Sequence, residues 1–344
     1  MNQQIVYIGN RLSKWGYTPT SVETLGERLR EIAAIYPYSD KKNAIHRMCH
    51  MLLGIWKHRR KTHWVIIDTY SSSAFYFAFL CALWCRLLKL PYITVLRGGD
   101  LPNRLIKSPR LCQSTFHKAY RIIAPSSYLY NPFKQAGFKQ VITIPNYIDI
   151  VNYPFKHRTN PQPRILWVRS FHKTYNPNLA IDILANLKLS FPAATLCMVG
   201  PDKDGSMAQF EAYANEKGLM DAIQIKGRLN KTDWIALSAN YDVFLNTTDF
   251  DNTPVSVMEA MALGMLVVST NAGGVPAIIQ HEQEGLLFNR GDATTAVALI
   301  KQILDPAVSG HFSSSARARA EHWDWTLVRA QWQSILSTSG LSNS

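Results

Sequence analysis

Short apolar runs of strand length alternate with helical stretches along nearly all of the 344 residues. "QIVYIGN" reads as a strand, "SVETLGERLREIAAIY" as a helix, "WVIIDTY" as a strand and "AFYFAFLCALWCRLLKL" as a helix. A strand at "YITVLRGG", a helix near "CQSTFHKAY", and strands at "RIIAPSS" and "VITIPN" follow. The strands are continuously apolar, as a strand covered on both faces must be, so the rhythm predicts an α/β chain with doubly wound parallel sheets. At 151–164 the text turns polar and proline-rich, "VNYPFKHRTNPQPR". The β-α-β rhythm then restarts at "RILWVRS" and runs to "LVVSTN". The pattern predicts two Rossmann-like domains, 1–150 and 164–322, joined by a linker at 151–163. An amphipathic helix at 323–338 is expected to pack back toward the first domain. Ligands of open α/β sheets gather at the carboxyl ends of strands, so a cleft between facing domains is the expected site.

Composition narrows the partners. The chain is 47% hydrophobic and carries 37 Lys and Arg against 24 Asp and Glu, a formal charge of +13. That excess suits nucleic acid, a phospholipid surface or a phosphorylated small molecule, although a merely basic surface is the alternative. No helix-turn-helix, zinc or aromatic RNA-binding signature supports nucleic acid, and no G-x-G-x-x-G supports a dinucleotide enzyme. The five cysteines contain no C-x-x-C, and Cys81 and Cys85 fall in an apolar run, which fits a reducing cytoplasm. The start "MNQQIVYIGN" reads as a first strand rather than a signal peptide, and the apolar run at 74–88 is too short for the ~20 residues a bilayer requires.

The stretch "DNTPVSVMEAMALG", residues 251–264, carries the chemistry. Thr253 is expected as a helix N-cap and Pro254 as the first helical residue. The amides near Val255 and Ser256 would then point at a phosphate, drawn by the helix dipole. Glu259, one turn on, could accept hydrogen bonds from a ribose diol, and Asp251 would face the other end of such a ligand. Gly264 closes the helix. The same residues also read as a capped helix with a solvated acid on its face.

Context separates these readings. "DVFLNTT", "DNTPVSVMEAMALGMLVVST" and "NAGGVPAII" occur in that order after "ILWVRSFHKTYNP". This resembles glycosyltransferase family 4, the retaining nucleotide-sugar transferases with the GT-B fold. The likeness runs from "YIGNRLSKWGYTPT" through "IAPSSYL" and "IPNYID" to "EGLLF". It implies that residues 1–150 form the acceptor side and 164–322 the donor-binding side. It also implies that Glu259 holds the donor ribose and Asp251, where the family usually has Glu, contacts the transferred sugar. Arg169 and Lys173 match the pair that clamps the diphosphate, and Gly16 matches the glycine whose backbone approaches it. Gly227 and Arg228 are expected at the base, and Thr253, Pro254, Val255 and Ser256 at the phosphates. In "VLRGGDLPNRL" the acceptor side offers Arg97, Gly98, Gly99 and Asp100; Arg97 stands where the family often has His. Asp100 either orients an acceptor hydroxyl or caps a turn.

Two D-x-D stretches, 202–204 and 249–251, raise a metal alternative. Cations of the chain itself can do a metal's work, so neither an essential metal nor a cofactor beyond the nucleoside diphosphate sugar is expected. "WKHRRKTHW", residues 56–64, interleaves cations with Trp56 and Trp64 and reads either as an interfacial segment or as a solvated loop. Together these features predict sugar transfer to a saccharide or lipid-linked acceptor in surface polysaccharide synthesis. The enzyme would be cytoplasmic, with an anionic membrane surface at the inner face of the cytoplasmic membrane as a further partner. The rivals are a GT-B sugar-nucleotide epimerase and a non-enzymatic nucleic-acid binder.

Overall fold

The computed structural model describes residues 3–337. The chain divides into two compact units: residues up to 145 with those from 326 onward, and residues 146–325. Residue 338 of the expected final helix lies outside the described residues.

The first unit is built on six parallel strands: β1 (Gln4–Ile8), β2 (Ala34–Tyr38), β3 (Trp64–Thr69), β4 (Tyr92–Leu96), β5 (Arg121–Ala124) and β6 (Val141–Thr143). Their spatial order is β2-β1-β3-β4-β5-β6. β1 pairs in parallel with β2 on one side and β3 on the other, so the winding direction switches between β1 and β3. β3 and β4 are buried along their whole length, which explains their unbroken apolar text. The final helix, Trp325–Leu336, is tied in where the Trp64 indole N–H donates to the Leu336 carbonyl at 3.1 Å.

The stretch 21–36 is not one helix. The helix stops at Leu29, and residues 34–38 form the edge strand β2. Pro37 explains the difference: it holds Tyr36 in extended backbone, and its missing N–H is tolerated at a sheet edge. The text between this strand and β3 folds as a helix, Ala44–His58, capped by the Asn43 side chain on the Ile45 and His46 amides. The basic segment 56–64 therefore spans a helix end, a turn and the start of β3. Trp56 is 48% exposed, whereas Trp64 is fully buried, so only the first of the two tryptophans is open to a surface partner.

The second unit repeats the architecture with β7 (Arg164–Val168), β8 (Thr195–Val199), β9 (Ile223–Gly227), β10 (Val243–Asn246), β11 (Leu266–Thr270) and β12 (Leu286–Phe288). The order is β12-β11-β10-β7-β8-β9, again all parallel, with the switch between β7 and β10. One face buries Trp167, Phe171 and Phe210, and the other buries Phe244, Met258 and Met261. The segment expected as a linker belongs to this unit. Arg158 is 2% exposed and donates to the carbonyls of Lys156, Ser238, Tyr241 and Leu263. Polar text signalled a tether; here the polar groups instead satisfy backbone carbonyls inside the unit.

Candidate active site at the switch point of the second sheet

Crossovers leave β7 and β10 in opposite directions, which opens a crevice at their carboxyl ends, where doubly wound sheets take ligands. Arg169 is the first residue past β7, and its amide donates to the Val199 carbonyl at 2.9 Å. A Cβ at Gly200, the first residue past β8, would overlap the Arg169 carbonyl, so only glycine lets the two strand ends lie this close. The Arg169 guanidinium pairs with Asp251 and lies 4.9 Å from the centre of the Tyr175 ring. Its buried Nε has no acceptor.

Asp251 is positioned from behind by "NAGG". The Gly274 amide donates to the Asp251 carbonyl at 2.9 Å, and a Cβ at Gly273, where φ is +56°, would collide with that carbonyl. The adjacent glycines after an apolar strand were the available sign of this close approach.

The helix that follows begins one residue later than expected. Its range is Val255–Ala262, and Pro254, at φ −68° and ψ 107°, is the N-cap. Thr253 is not the cap, because the Pro254 carbonyl accepts the first helical bonds, from Val257 at 3.1 Å and Met258 at 3.3 Å. The Thr253 hydroxyl is left buried without a partner, as is that of Ser256. Two unpaired hydroxyls thus flank a helix start, the kind of place where an anion is best accommodated.

Glu259 is 4% exposed, not solvated. Burying a carboxylate is costly unless it is paired, and two partners meet this one. The Tyr153 hydroxyl donates to its Oε1 at 2.9 Å, and the Lys231 ammonium forms an ion pair with the same oxygen. Burial, then the Glu259 charge, raises the Tyr153 pKa, so the phenol remains a donor. Neither partner was singled out in the sequence. Tyr153 lies in the polar stretch, and Lys231 looks like any surface lysine at a helix start.

Lys173 is exposed and opens a short helical turn, Lys173–Tyr175, four residues past Arg169. Its amide donates to Asp204 at 3.0 Å. The 202–204 acids serve turns: Asp202 accepts from the Gly205 amide, and Asp204 also accepts from Ser206, whose hydroxyl leads in holding its pKa below the ordinary value. Among the described residues, no three His, Cys, Asp or Glu side chains gather as a metal site. Gly227, at φ +61°, ends β9, and its carbonyl accepts from the Gly200 amide at 2.8 Å, with exposed Arg228 next in line.

The remaining residues singled out belong to the first unit. Gly16 adopts φ +84° after the turn Ser13–Trp15, with open space where a Cβ would point. Arg97 is not a free cation, because its Nε donates to the buried Asp68 at 3.2 Å, alongside the Tyr7 hydroxyl at 3.0 Å. Burial works against that guanidinium, but Asp68 and Tyr7 outweigh it and raise its pKa. Gly98 is pressed against the Ser71 backbone. Asp100 is exposed at the start of the helix Leu101–Lys107 and accepts from the Asn103 side chain rather than from a helix amide.

Comparison with known proteins bears on the fold and on the second unit. Residues 149–319 match the family model described as glycosyl transferases group 1. The glycogen synthase of Mycobacterium tuberculosis is 26% identical over 198 residues, which cover 56% of this chain and 47% of that one. The chain thus spans about half the length of the curated relatives it matches. The HepE protein of Anabaena, solved in complex with UDP-glucose, superposes with a TM-score of 0.77 at 17% identity, covering 98% of this chain and 100% of that one. Sucrose-phosphate synthase of Thermosynechococcus elongatus superposes with a TM-score of 0.80 at 15% identity, over 97% and 98% of the two chains. At such identities the superpositions speak for the fold. The chain has the α/β GT-B fold, and its residues 149–319 match the glycosyl transferases group 1 family.

Proposed function

We propose that the chain is a retaining glycosyltransferase of family 4 that moves a sugar from a nucleoside diphosphate sugar to a saccharide or lipid-linked acceptor in surface polysaccharide synthesis. The observation that carries the reading is the pairing of an unsatisfied helix start with a buried carboxylate one turn further on, both at the switch point of the second sheet. The spacing suits a diphosphate at Thr253–Ser256 and a ribose at Glu259. Lys231 holds the carboxylate in the absence of the donor, and a ribose diol would take over part of that contact while Tyr153 keeps the carboxylate oriented.

Charge grows on the diphosphate as the glycosidic bond breaks. Arg169, Lys173 and the amides of Val255 and Ser256 are the groups to stabilise it, and Asp251 is the group to meet the sugar. Arg169 enters this role from its pair with Asp251, so both side chains are pre-set before the donor arrives. These cations make a metal unnecessary in this account, and no other cofactor is invoked. Retention follows from acceptor attack on the face the diphosphate leaves, with that diphosphate taking the acceptor proton. In the first unit, Gly16 approaches the diphosphate in this reading, and Arg97, Gly98 and Asp100 serve the acceptor side. The exposed Trp56, with the Arg59 guanidinium 4.2 Å from the centre of its ring, suits peripheral attachment to an anionic membrane face in the cytoplasm.

Thermal-shift titration with UDP-, GDP- and ADP-sugars tests the reading. A ligand at 100 times its Kd stabilises by ~2.7 kcal/mol, and one nucleotide class should do so. UDP-glucose, bound by the Anabaena neighbour, is the first to try. NMR of the product should then show the donor's anomeric configuration. Isomerisation of the donor without any acceptor would point to an epimerase instead.

A further inference from the structure

The excess charge of the chain sits in one unit. The first unit holds 22 of the 37 Lys and Arg and 6 of the 24 Asp and Glu, a net +16, while the second is at −3. Between Asp40 and Asp68 there is no acid but seven Lys and Arg. The helix Ala44–His58 crosses this stretch.

A cavity of about 510 Å³ lies against the start of that helix, lined by Asn10, Leu12, Ile45, Arg47, Met48 and Phe77 among others. Asn10 follows β1, and Ser73, also in the lining, follows β3, so the cavity sits at the switch point of the first sheet. Its walls are mainly apolar, and besides Ser73 the polar exceptions are Arg47 and Asn10. Arg47 lies 5.3 Å from the centre of the Phe77 ring, its buried Nε has no acceptor, and no ion pair engages it among the described residues. The Asn10 side-chain oxygen is likewise buried without a donor. A half-buried cation whose Nε is cut off from water and has no acceptor suits an anion, and partial burial already weakens its hold on the proton.

From this cavity an apolar stripe runs along the outer face of the helix. Ile45 and Cys49 line the cavity, and Leu53 and Trp56 continue at the same helical spacing. Ile45 is 72% exposed and Leu53 61%, while Met51, Gly54 and Ile55 fill the inner face. Lys41, Lys42, Lys57 and Arg60 flank the stripe in sequence, and all four are exposed.

We propose that this cavity binds the phosphate end of a long-chain lipid, with the phosphate on Arg47, the Asn10 side-chain carbonyl accepting from the phosphate's own P–OH, and the first carbons of the chain along Ile45, Cys49, Leu53 and Trp56. The occupant is a phosphate carried directly on a prenyl or alkyl chain. An anion alone leaves the stripe bare, and an uncharged chain leaves Arg47 unpaired. The proposal rests on the transferase reading and names its acceptor class: lipid-linked, with the lipid phosphate recognised by the first unit.

Titration of the full chain with farnesyl phosphate, farnesol and inorganic phosphate is the test. Farnesyl phosphate should bind, farnesol should bind at least about tenfold more weakly, and phosphate alone should not compete. Arg47→Gln and, on the exposed stripe, Leu53→Asp should each weaken farnesyl phosphate at least about tenfold while nucleoside diphosphate affinity is unchanged. Equal binding by wild type and both variants would overturn the proposal, as would farnesol matching its phosphate. Nucleotide affinity in the same variants separates the two readings: its loss from the wild type ends the transferase account, whereas its retention with no lipid binding ends only this one.

Discussion

Arg169 is held on three sides before any ligand arrives: by Asp251, by the Tyr175 ring, and by the strand end that Gly200 packs against. A cation placed this firmly loses little in reorganisation when charge develops beside it. Arg169→Ala or Lys173→Ala should therefore lower kcat/KM by ~100-fold with folding intact, as steady-state rates and circular dichroism would show. Near-normal turnover in both would remove the clamp. Tyr153 acts through Glu259, and Tyr153→Phe deletes one hydrogen bond of ~1 kcal/mol, so the donor KM should rise about fivefold with kcat little changed. A fall in kcat alone would contradict that role. At this scale Asp251 and Glu259 were legible because both acids sit in one short motif, where spacing on a helix can be read directly. Tyr153 and Lys231 were not. They reach Glu259 across 106 and 28 residues of chain, and no local pattern encodes such a contact.

Among the elements, the unbroken apolar strands declared themselves, and all of those read from the text are present. What failed were boundaries set by single residues. Pro37 turned the end of a helical pattern into an edge strand, and Arg158 turned an apparent tether into part of a folded unit. Burial pushes the Arg158 guanidinium down to about 10, yet it stays charged, beside Asp242 at 3.6 Å. Arg158→Met should cost the second unit ~3–5 kcal/mol in chemical denaturation, because several carbonyls and a carboxylate lose their partner. A change within ±0.5 kcal/mol would show the segment to be dispensable. The helix Ala44–His58 carries its own pH dependence. Burial lowers the pKa of His50 and of His58 below the ordinary 6.5. Each then gains its proton more readily when unfolded, so this contribution is intact above 6.5 and is lost as pH falls below that value toward the folded-state pKa. Thermal melts between pH 7.5 and 5.5 should show a fall in Tm that is shallower in a His50→Gln, His58→Gln double variant. An identical slope in both proteins would place the acid sensitivity elsewhere.

At the scale of the molecule, two sheets of like topology carry opposite charge: a basic unit with an apolar stripe, and a mildly acidic one with the candidate site. Composition showed the excess but not its partition, which is the work of residues 1–145, with 21 Lys and Arg against 6 Asp and Glu; the final helix adds a single Arg. Because the protein's own cations meet the diphosphate in this account, treatment with EDTA should leave donor binding and turnover unchanged; loss that Mg²⁺ or Mn²⁺ restores would assign that work to a metal. The central claim is that the second unit holds a nucleoside diphosphate sugar with one acid at each end. Calorimetric titration with the nucleoside diphosphate, in wild type, Glu259→Gln and Asp251→Asn, tests it most directly. The account predicts that Glu259→Gln loses ~1.5–3 kcal/mol of binding, whereas Asp251→Asn binds the bare nucleotide almost normally yet turns over the sugar-bearing donor slowly. Equal loss of the bare nucleotide in both variants would contradict it.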